Sequence, residues 1–298
     1  MTSRPLLLRV AIPHFFRESA AGSGYGSGRS GQRLARCVAL GRCLHGVLAL
    51  RRSPADAVLH IGERSLRSWP ADADRLQRSA AIELEVHVFT DGAHRLDEAL
   101  ELFDGCIEVH TIELDDPRLL PIACRNWLLQ QSGADLSFYL EDDLVITDPL
   151  FLDKQLWFLE RTNHQAVLMP HRVEPAASGP QAQLLVDGPL APAFIQRYCT
   201  PVSHAAEGRF DLDGPLIQFD VASNPHSGCF MVSEPQRGRL SQLELPSDGF
   251  VSPLETAATL TVLAHFPVFK PSAGQQRFLQ IEHGHPSFLG YLNTLPHR

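Results

Sequence analysis

Hydrophobic positions come in short runs and in helix-spaced sets, and the two alternate through the first 170 residues. Leu6–Ile12 is an apolar run interrupted only by Arg9 and ended by Pro13, the pattern of a buried first strand. Gln32–Arg51 spaces Leu34, Val38, Leu44, Val47 and Leu48 near the helical period, and Pro54 closes it. Val58–Ile61 reads as a second strand, and Glu83–Thr90 alternates polar and apolar residues up to a turn at Asp91-Gly92. A helix over His94–Phe103, a strand over Cys106–Ile112 and a helix over Pro121–Gln131 follow, the last stopped by Gly133. Ala134–Leu140 is an apolar strand that runs directly into Glu141, Asp142 and Asp143. Beyond it the pattern predicts a helix over Phe151–Arg161 and a strand over Ala166–Met169. Residues 172–215 are rich in Pro, Gly and polar residues and give few signals. A strand over Gly228–Val232, a helix over Pro253–Leu263 and a strand over Phe278–Glu282 complete the pattern.

Strands alternating with helices predict an α/β fold on a mostly parallel sheet. No repeat and no linker divides the chain, so a single unit over 1–298 is expected, with residues 1–170 as its more regular half and 171–298 as a subregion that finishes the site. The 298 residues, 44% hydrophobic and 20% charged, suffice for a large core and argue against wholesale disorder. The formal charge of −8 disfavours nucleic acid as a partner, which calls for a clustered basic face. The six cysteines contain no CxxC pair, so thiols in a reducing compartment are expected. No apolar run near the start is long enough to span a bilayer, and none has a signal-peptide layout. A cytoplasmic or membrane-peripheral protein is the expectation.

The candidate chemistry centres on Glu141-Asp142-Asp143. Carboxylates at the end of a buried strand repel one another and cost several kcal/mol unless paired or bound to a cation. The carboxyl ends of parallel strands are where open α/β sheets bind ligands. Oxygen ligands at this density suit Mg²⁺ or Mn²⁺, which take the rest of their shell from water and phosphate. Such an ion neutralises charge building on a departing diphosphate. The alternative is a solvated acidic turn, but apolar residues flank the acids on both sides.

Phe138-Tyr139-Leu140-Glu141-Asp142-Asp143-Leu144-Val145-Ile146 resembles the metal-binding motif of A-type (GT-A fold) glycosyltransferases, nearest to the Glu-Asp-Asp variant of the N-acetylglucosaminyltransferase I-like enzymes. The resemblance implies a three-layer α/β/α Rossmann-like domain that moves a sugar from a nucleoside-diphosphate sugar to an acceptor hydroxyl on a glycan or other molecule. It implies Mn²⁺ or Mg²⁺ as cofactor, Asp143 as metal ligand, and Asp142 and Glu141 as donor-binding groups. Arg125, on the helix before the motif, corresponds to a donor-contacting position. The resemblance covers the motif, its flanks and the order of elements; the insertion at 19–31 and the weak middle region match no one subfamily.

Other residues join this reading. Glu255 opens the Pro253–Leu263 helix and could deprotonate the acceptor in an inverting hexosyl transfer; it could equally be an acid favourable to the helix dipole, and Asp248 competes for the base role. His283 and His285, two apart on a strand, would face one side and suit a shared metal, as the resemblance implies for a C-terminal histidine, or could be an exposed pair. Asp91, at a strand end, could accept a hydrogen bond from the base or ribose. Asn224–Phe230 is a turn feeding a strand, which in the resembled enzymes would line the donor sugar. Gly26–Gly31 formally matches GxGxxG but lies too far from the first strand for a dinucleotide fingerprint. Two rivals remain: a nucleotidyltransferase making a sugar nucleotide, for which Arg29 is the sole basic residue of the displaced loop, and a non-catalytic nucleotide-sugar or glycan-binding protein of the same fold.

Overall fold

The computed structural model describes residues 4–18, 28, 30–70, 81–198 and 206–296. Most of the Ser/Gly-rich stretch at 19–31, Arg29 included, and Cys199 lie outside the described residues. In chain order, β1 (Leu6–Pro13) and α1 (Arg33–Leu48) precede a hairpin of β2 (Ala55–His60) and β3 (Ser65–Pro70). Next come β4 (Ile82–Thr90), the one-turn α2 (Asp97–Leu100), β5 (Glu108–Thr111), α3 (Leu120–Gln130) and β6 (Leu136–Leu140). Then follow β7 (Leu144–Val145), α4 (Phe151–Arg161), β8 (Val167–Leu168), β9 (His171–Pro175), β10 (Gln183–Leu185) and α5 (Pro192–Ile195). The last elements are β11 (Ala206–Arg209), β12 (Leu216–Val221), β13 (Cys229–Ser233), α6 (Glu234–Leu240), α7 (Pro253–Leu263), β14 (Val268–Pro271) and β15 (Gln280–His283).

The main sheet has the order β13-β6-β1-β4-β5. Its β1–β4, β1–β6 and β4–β5 pairs are parallel, and β13 alone joins antiparallel. Alternate residues of a strand face opposite sides, so each strand feeds two cores. Leu8, Val10 and Ile12 of β1 pack with Leu40, Leu44 and Val47 of α1 and with Phe151 and Phe158 of α4. Ala11, Phe89 and Tyr139 face the other way, onto Leu128 of α3 and Ala258, Leu260 and Val262 of α7. The result is the mostly parallel α/β sheet that the alternation predicted, in the three-layer α/β/α arrangement that the resemblance implied. No helix among the described residues is long and apolar enough to cross a membrane.

Two further sheets lean on this frame, β10-β9-β15-β7 and β11-β12-β14-β8. Most of their strands went unsignalled in the sequence because they are two to six residues long and sit among Pro and Gly. The second half also sends β13 back to pair with β6, so residues from both halves meet at the same sheet edge.

The α1 helix differs from its expected phase. Leu34 and Val38 are exposed, while Arg36, Ala39, Leu40, Cys43, Leu44, Gly46 and Val47 face inward. Gly46 explains the choice: a Cβ there would stand 2.7 Å from the carbonyl oxygen of Ile146. The helix packs through its glycine because only a bare backbone lets it approach the 144–147 segment that closely.

Candidate functional site

The strand order reverses between β1 and β6, the topological switch point where open α/β sheets leave a crevice beyond their carboxyl ends. His14 follows β1 there, and Glu141, Asp142 and Asp143 follow β6. Both neighbouring strands end in buried stretches, Val10–Pro13 and Leu136–Leu140, so the acids emerge from the core: Glu141 and Asp142 are only 6% and 8% exposed.

Asp142 and Asp143 are bridged by one cation. Arg36 donates from Nη2 to Asp142 Oδ1 at 2.6 Å and from Nη1 to Asp143 Oδ2 at 2.8 Å. Asp142 Oδ2 also accepts from His14 Nδ1 at 2.6 Å. The backbone N–H of Leu96 donates to His14 Nε2 at 3.1 Å, which leaves the ring proton on Nδ1, aimed at Asp142. Burial alone would favour protonated acids; Arg36 and His14 outweigh it at Asp142, while His283 and Arg36 do so at Asp143, and both carboxyls are held below their ordinary range.

His283 arrives by strand pairing. β7 begins directly after the acids and pairs antiparallel with β15, placing Leu144 opposite His283. Its Nε2 lies 3.5 Å from Asp143 Oδ2, and its Nδ1 bonds Glu174 Oε1 at 2.6 Å. Glu174, fully buried on β9, also accepts from the backbone N–H of Ser287 at 2.8 Å and of Phe288 at 2.9 Å. Burial opposes the charge on His283, but the two carboxylates prevail and raise its pKa to about 9. Gly284 N donates to Asp143 O at 2.6 Å, and a Cβ there would stand 2.8 Å from Val145 Cγ2, so the chain between the two histidines lies flat on the acid strand. His285 turns to Gln32, with Nε2 3.2 Å from its Oε1, and leaves Nδ1 buried without a partner.

Glu141 is the unsatisfied member. Oε1 has no hydrogen-bond partner, and Oε2 lies 4.0 Å from Arg172 Nη1. Burial pushes its pKa up to about 8, against the pull of Arg172. Gly228, at φ +66°, accepts the Glu141 N–H at 3.0 Å, and a Cβ there would meet Glu141 Oε2 at 2.7 Å. Behind Glu141, Arg172 pairs with Asp187 at 2.8 Å, with Lys270 Nζ 3.9 Å from the same carboxylate. Lys270 also donates to His226 O at 2.7 Å, and burial brings its pKa down to about 8.

The expected site residues thus divide. Glu141, Asp142, Asp143, His283 and His285 come together. Glu255 lies close enough to Glu141 to act on its charge and accepts from its own N-cap, Ser252 Oγ. Asp248 is exposed on the preceding loop. Asp91 stands at the same end of the sheet but is engaged by its own turn, accepting from Ala93 N, His94 N and His94 Nδ1. Arg125 is buried between α3 and α7, donating to Pro246 O, Thr261 Oγ1 and Asn126 Oδ1. It touches none of the three acids by hydrogen bond.

Sequence reasoning missed His14, Arg36, Arg172, Glu174, Asp187 and Lys270. One signal existed for Arg36: it heads the stripe Arg36, Leu40, Cys43, Leu44, Val47, and a charge at a core position of an amphipathic helix asks for a buried partner. Arg172, Glu174 and Lys270 lie on short strands whose pairing no local pattern reveals, and His14 and Asp187 lie just past strand ends, where nothing local marks a partner.

The donor set fits a divalent ion on chemical grounds. Asp143 offers oxygen, and His283, whose pKa of about 9 keeps it protonated, would present Nε2 once an arriving ion displaces that proton, with a buried carboxylate fixing its other nitrogen as metal-bound histidines require.

No family model matches the chain, and no curated protein matches it. Among solved structures it is similar to residues 1–349 of S. aureus TarS, at 10% identity and TM-score 0.43, covering 91% of this chain and 59% of that one. The longer S. aureus TarS structure matches at 12% identity and TM-score 0.41, covering 91% and 36%. GalNAc-T7 with UDP, GalNAc and Mn²⁺ matches at 11% identity and TM-score 0.43, covering 96% and 46%. The chain spans between 36% and 59% of the length of these structures. At such identities and TM-scores, none of these likenesses assigns an activity to the chain or a role to a residue.

Proposed function

We propose that the chain is a glycosyltransferase that takes its sugar from a nucleoside-diphosphate donor and uses Mn²⁺ or Mg²⁺. The observation that carries this reading is the pairing of three carboxylates with buried cations at the switch point, with Glu141 Oε1, Arg172 Nε and His285 Nδ1 left unsatisfied. Buried polar atoms without partners cost free energy unless a ligand completes them. A diphosphate with its cation and a polar sugar supplies both acceptors and donors.

In this reading Asp143 and His283 hold the ion, and the ion when bound neutralises charge on the leaving diphosphate. Arg36 keeps Asp142 and Asp143 ionised and aligned, and His14 fixes the second oxygen of Asp142. Glu141 and Arg172 face the sugar or ribose hydroxyls. Glu255, close to Glu141 and oriented by Ser252, is the base that takes the acceptor proton, in preference to the exposed Asp248. Transfer would then invert the anomeric centre, because base and leaving group act on opposite sides.

Thermal unfolding of the purified chain with UDP, GDP, CDP and dTDP, each with and without Mn²⁺, tests the site. A nucleotide at a hundred times its Kd should stabilise by about 2.7 kcal/mol. One nucleotide should do so only with metal, and Asp143→Asn should abolish the shift. Stabilisation independent of metal, or unchanged in Asp143→Asn, would sink the proposed ligand set. Release of pyrophosphate in place of a nucleoside diphosphate would move the reaction to nucleotidyl transfer.

A further inference from the structure

A second group of metal-ligating side chains lies on the β4–β5 pair, away from the acids. β5 is the edge strand, and its parallel register sets His87 opposite Glu108 and Phe89 opposite His110. Residues 108 and 110 share a face, and the register turns His87 to that same face. The side chains converge. His87 Nδ1 lies 3.0 Å from His110 Nε2, and the Glu108 carboxylate reaches within 3.4 Å of His87 Nδ1 and 3.5 Å of His110 Nε2.

The two spacings to Glu108 are those of a coordination shell, and the 3.0 Å contact between the rings is a hydrogen bond that an ion entering between them would replace. An ion holding nitrogen and oxygen ligands tetrahedrally at about 2.0–2.1 Å separates them by roughly 3.3–3.4 Å. The surroundings also suit one. The His87 ring packs against Trp127 at 4.5 Å, and His110 stacks on Phe89 at 4.7 Å and 13°, so both imidazoles are fixed in orientation. The outer nitrogen of His87, Nε2, is buried without a hydrogen-bond partner, and its nearest carboxylate is Glu85 Oε2 at 4.0 Å. That is where a supporting carboxylate sits behind a metal-bound histidine. Glu108, largely exposed, leaves the outer face of the shell open to water.

We propose that His87 Nδ1, His110 Nε2 and a Glu108 oxygen bind one zinc-class divalent ion, separate from the Asp143 site, which staples the edge strand β5 to β4. Two imidazoles against a single carboxylate favour Zn²⁺ or Co²⁺ over Mg²⁺.

The test is calorimetric titration of the chelator-treated full chain with ZnSO₄, with Co²⁺ absorption to report tetrahedral geometry. The expected result is one Zn²⁺ per chain, weakened about a hundredfold or more in His110→Gln and clearly in Glu108→Gln, and retained in Asp143→Asn. Circular dichroism of His110→Gln should match the parent, separating lost ligation from lost folding. Binding that survives His110→Gln, binding lost only in Asp143→Asn, or no Zn²⁺ uptake would each overturn the site. None of those results bears on the nucleotide-dependent shift, so the two proposals fail separately.

Discussion

At the residue scale, the centre is governed by which charges burial permits. His226 is buried beside Arg172 and Lys270, with Nδ1 2.9 Å from Thr259 Oγ1, and burial drives its pKa down to about 3. In the unfolded chain the ring titrates near about 6.5. Between those values the unfolded state holds the extra proton, so stability falls as pH drops from 6.5 towards 3. The Tm of His226→Gln, followed against pH, should decline less steeply over that window; an unchanged slope would mean that His226 is not the titrating group. Gly228 sits at φ +66° against Glu141. Gly228→Ala should cost about 1–2 kcal/mol from the left-handed backbone alone, read by urea unfolding. It should also weaken donor binding, because the new methyl displaces Glu141. The acids, their strand and His283 were legible in the sequence. His285 lies past the end of β15 and turns to Gln32, so the two histidines do not share one strand face as expected. The cations facing the acids were not legible, since Arg36 reaches Asp142 across 106 residues and Arg172 reaches Glu141 only by strand pairing.

At the element scale, α1 is the part that aims Arg36, and its two interior glycines should respond in opposite ways. A Cβ on Gly41 would meet nothing within 4 Å, so Gly41→Ala should gain up to about 1 kcal/mol from helix propensity. A Cβ on Gly46 would meet the Ile146 backbone at 2.7 Å, so Gly46→Ala should lose about 1–3 kcal/mol by overpacking, despite the same propensity gain. Denaturant melts of the pair decide it; two stabilised variants would mean that α1 does not pack through Gly46. A metal-dependent nucleotide shift should also shrink in Gly46→Ala, because a displaced helix carries Arg36 away from the acids. The helix bounds were readable, but its phase was not: Leu34 and Val38 fit the helical period as well as the buried residues do, and the glycine contact that settles the phase is tertiary.

At the scale of the whole molecule, stability is unevenly distributed. β1, β4 and β6 are covered on both faces by the two cores, whereas most of the β2–β3 hairpin is exposed, with Leu59 at 63%, Leu66 at 70% and Trp69 at 58%. Native-state hydrogen exchange should therefore be slowest in β1, β4 and β6. It should be roughly a hundredfold or more faster in β2 and β3, where opening exposes little apolar surface. Comparable protection in both would indicate that another surface covers the hairpin. The alternation of apolar runs and helical sets determined by itself the α/β fold on a mostly parallel sheet, because a strand or helix must bury its hydrophobic face and that need is written locally. It also marked the Glu141–Asp143 triplet, because acids beside a buried strand are costly wherever that strand ends up. Only the tertiary structure decided what neutralises them. Arg36, His14, Arg172 and His283 come from four separate segments, and the partners of a buried charge are chosen by packing and strand register between distant parts of the chain, which no local pattern encodes.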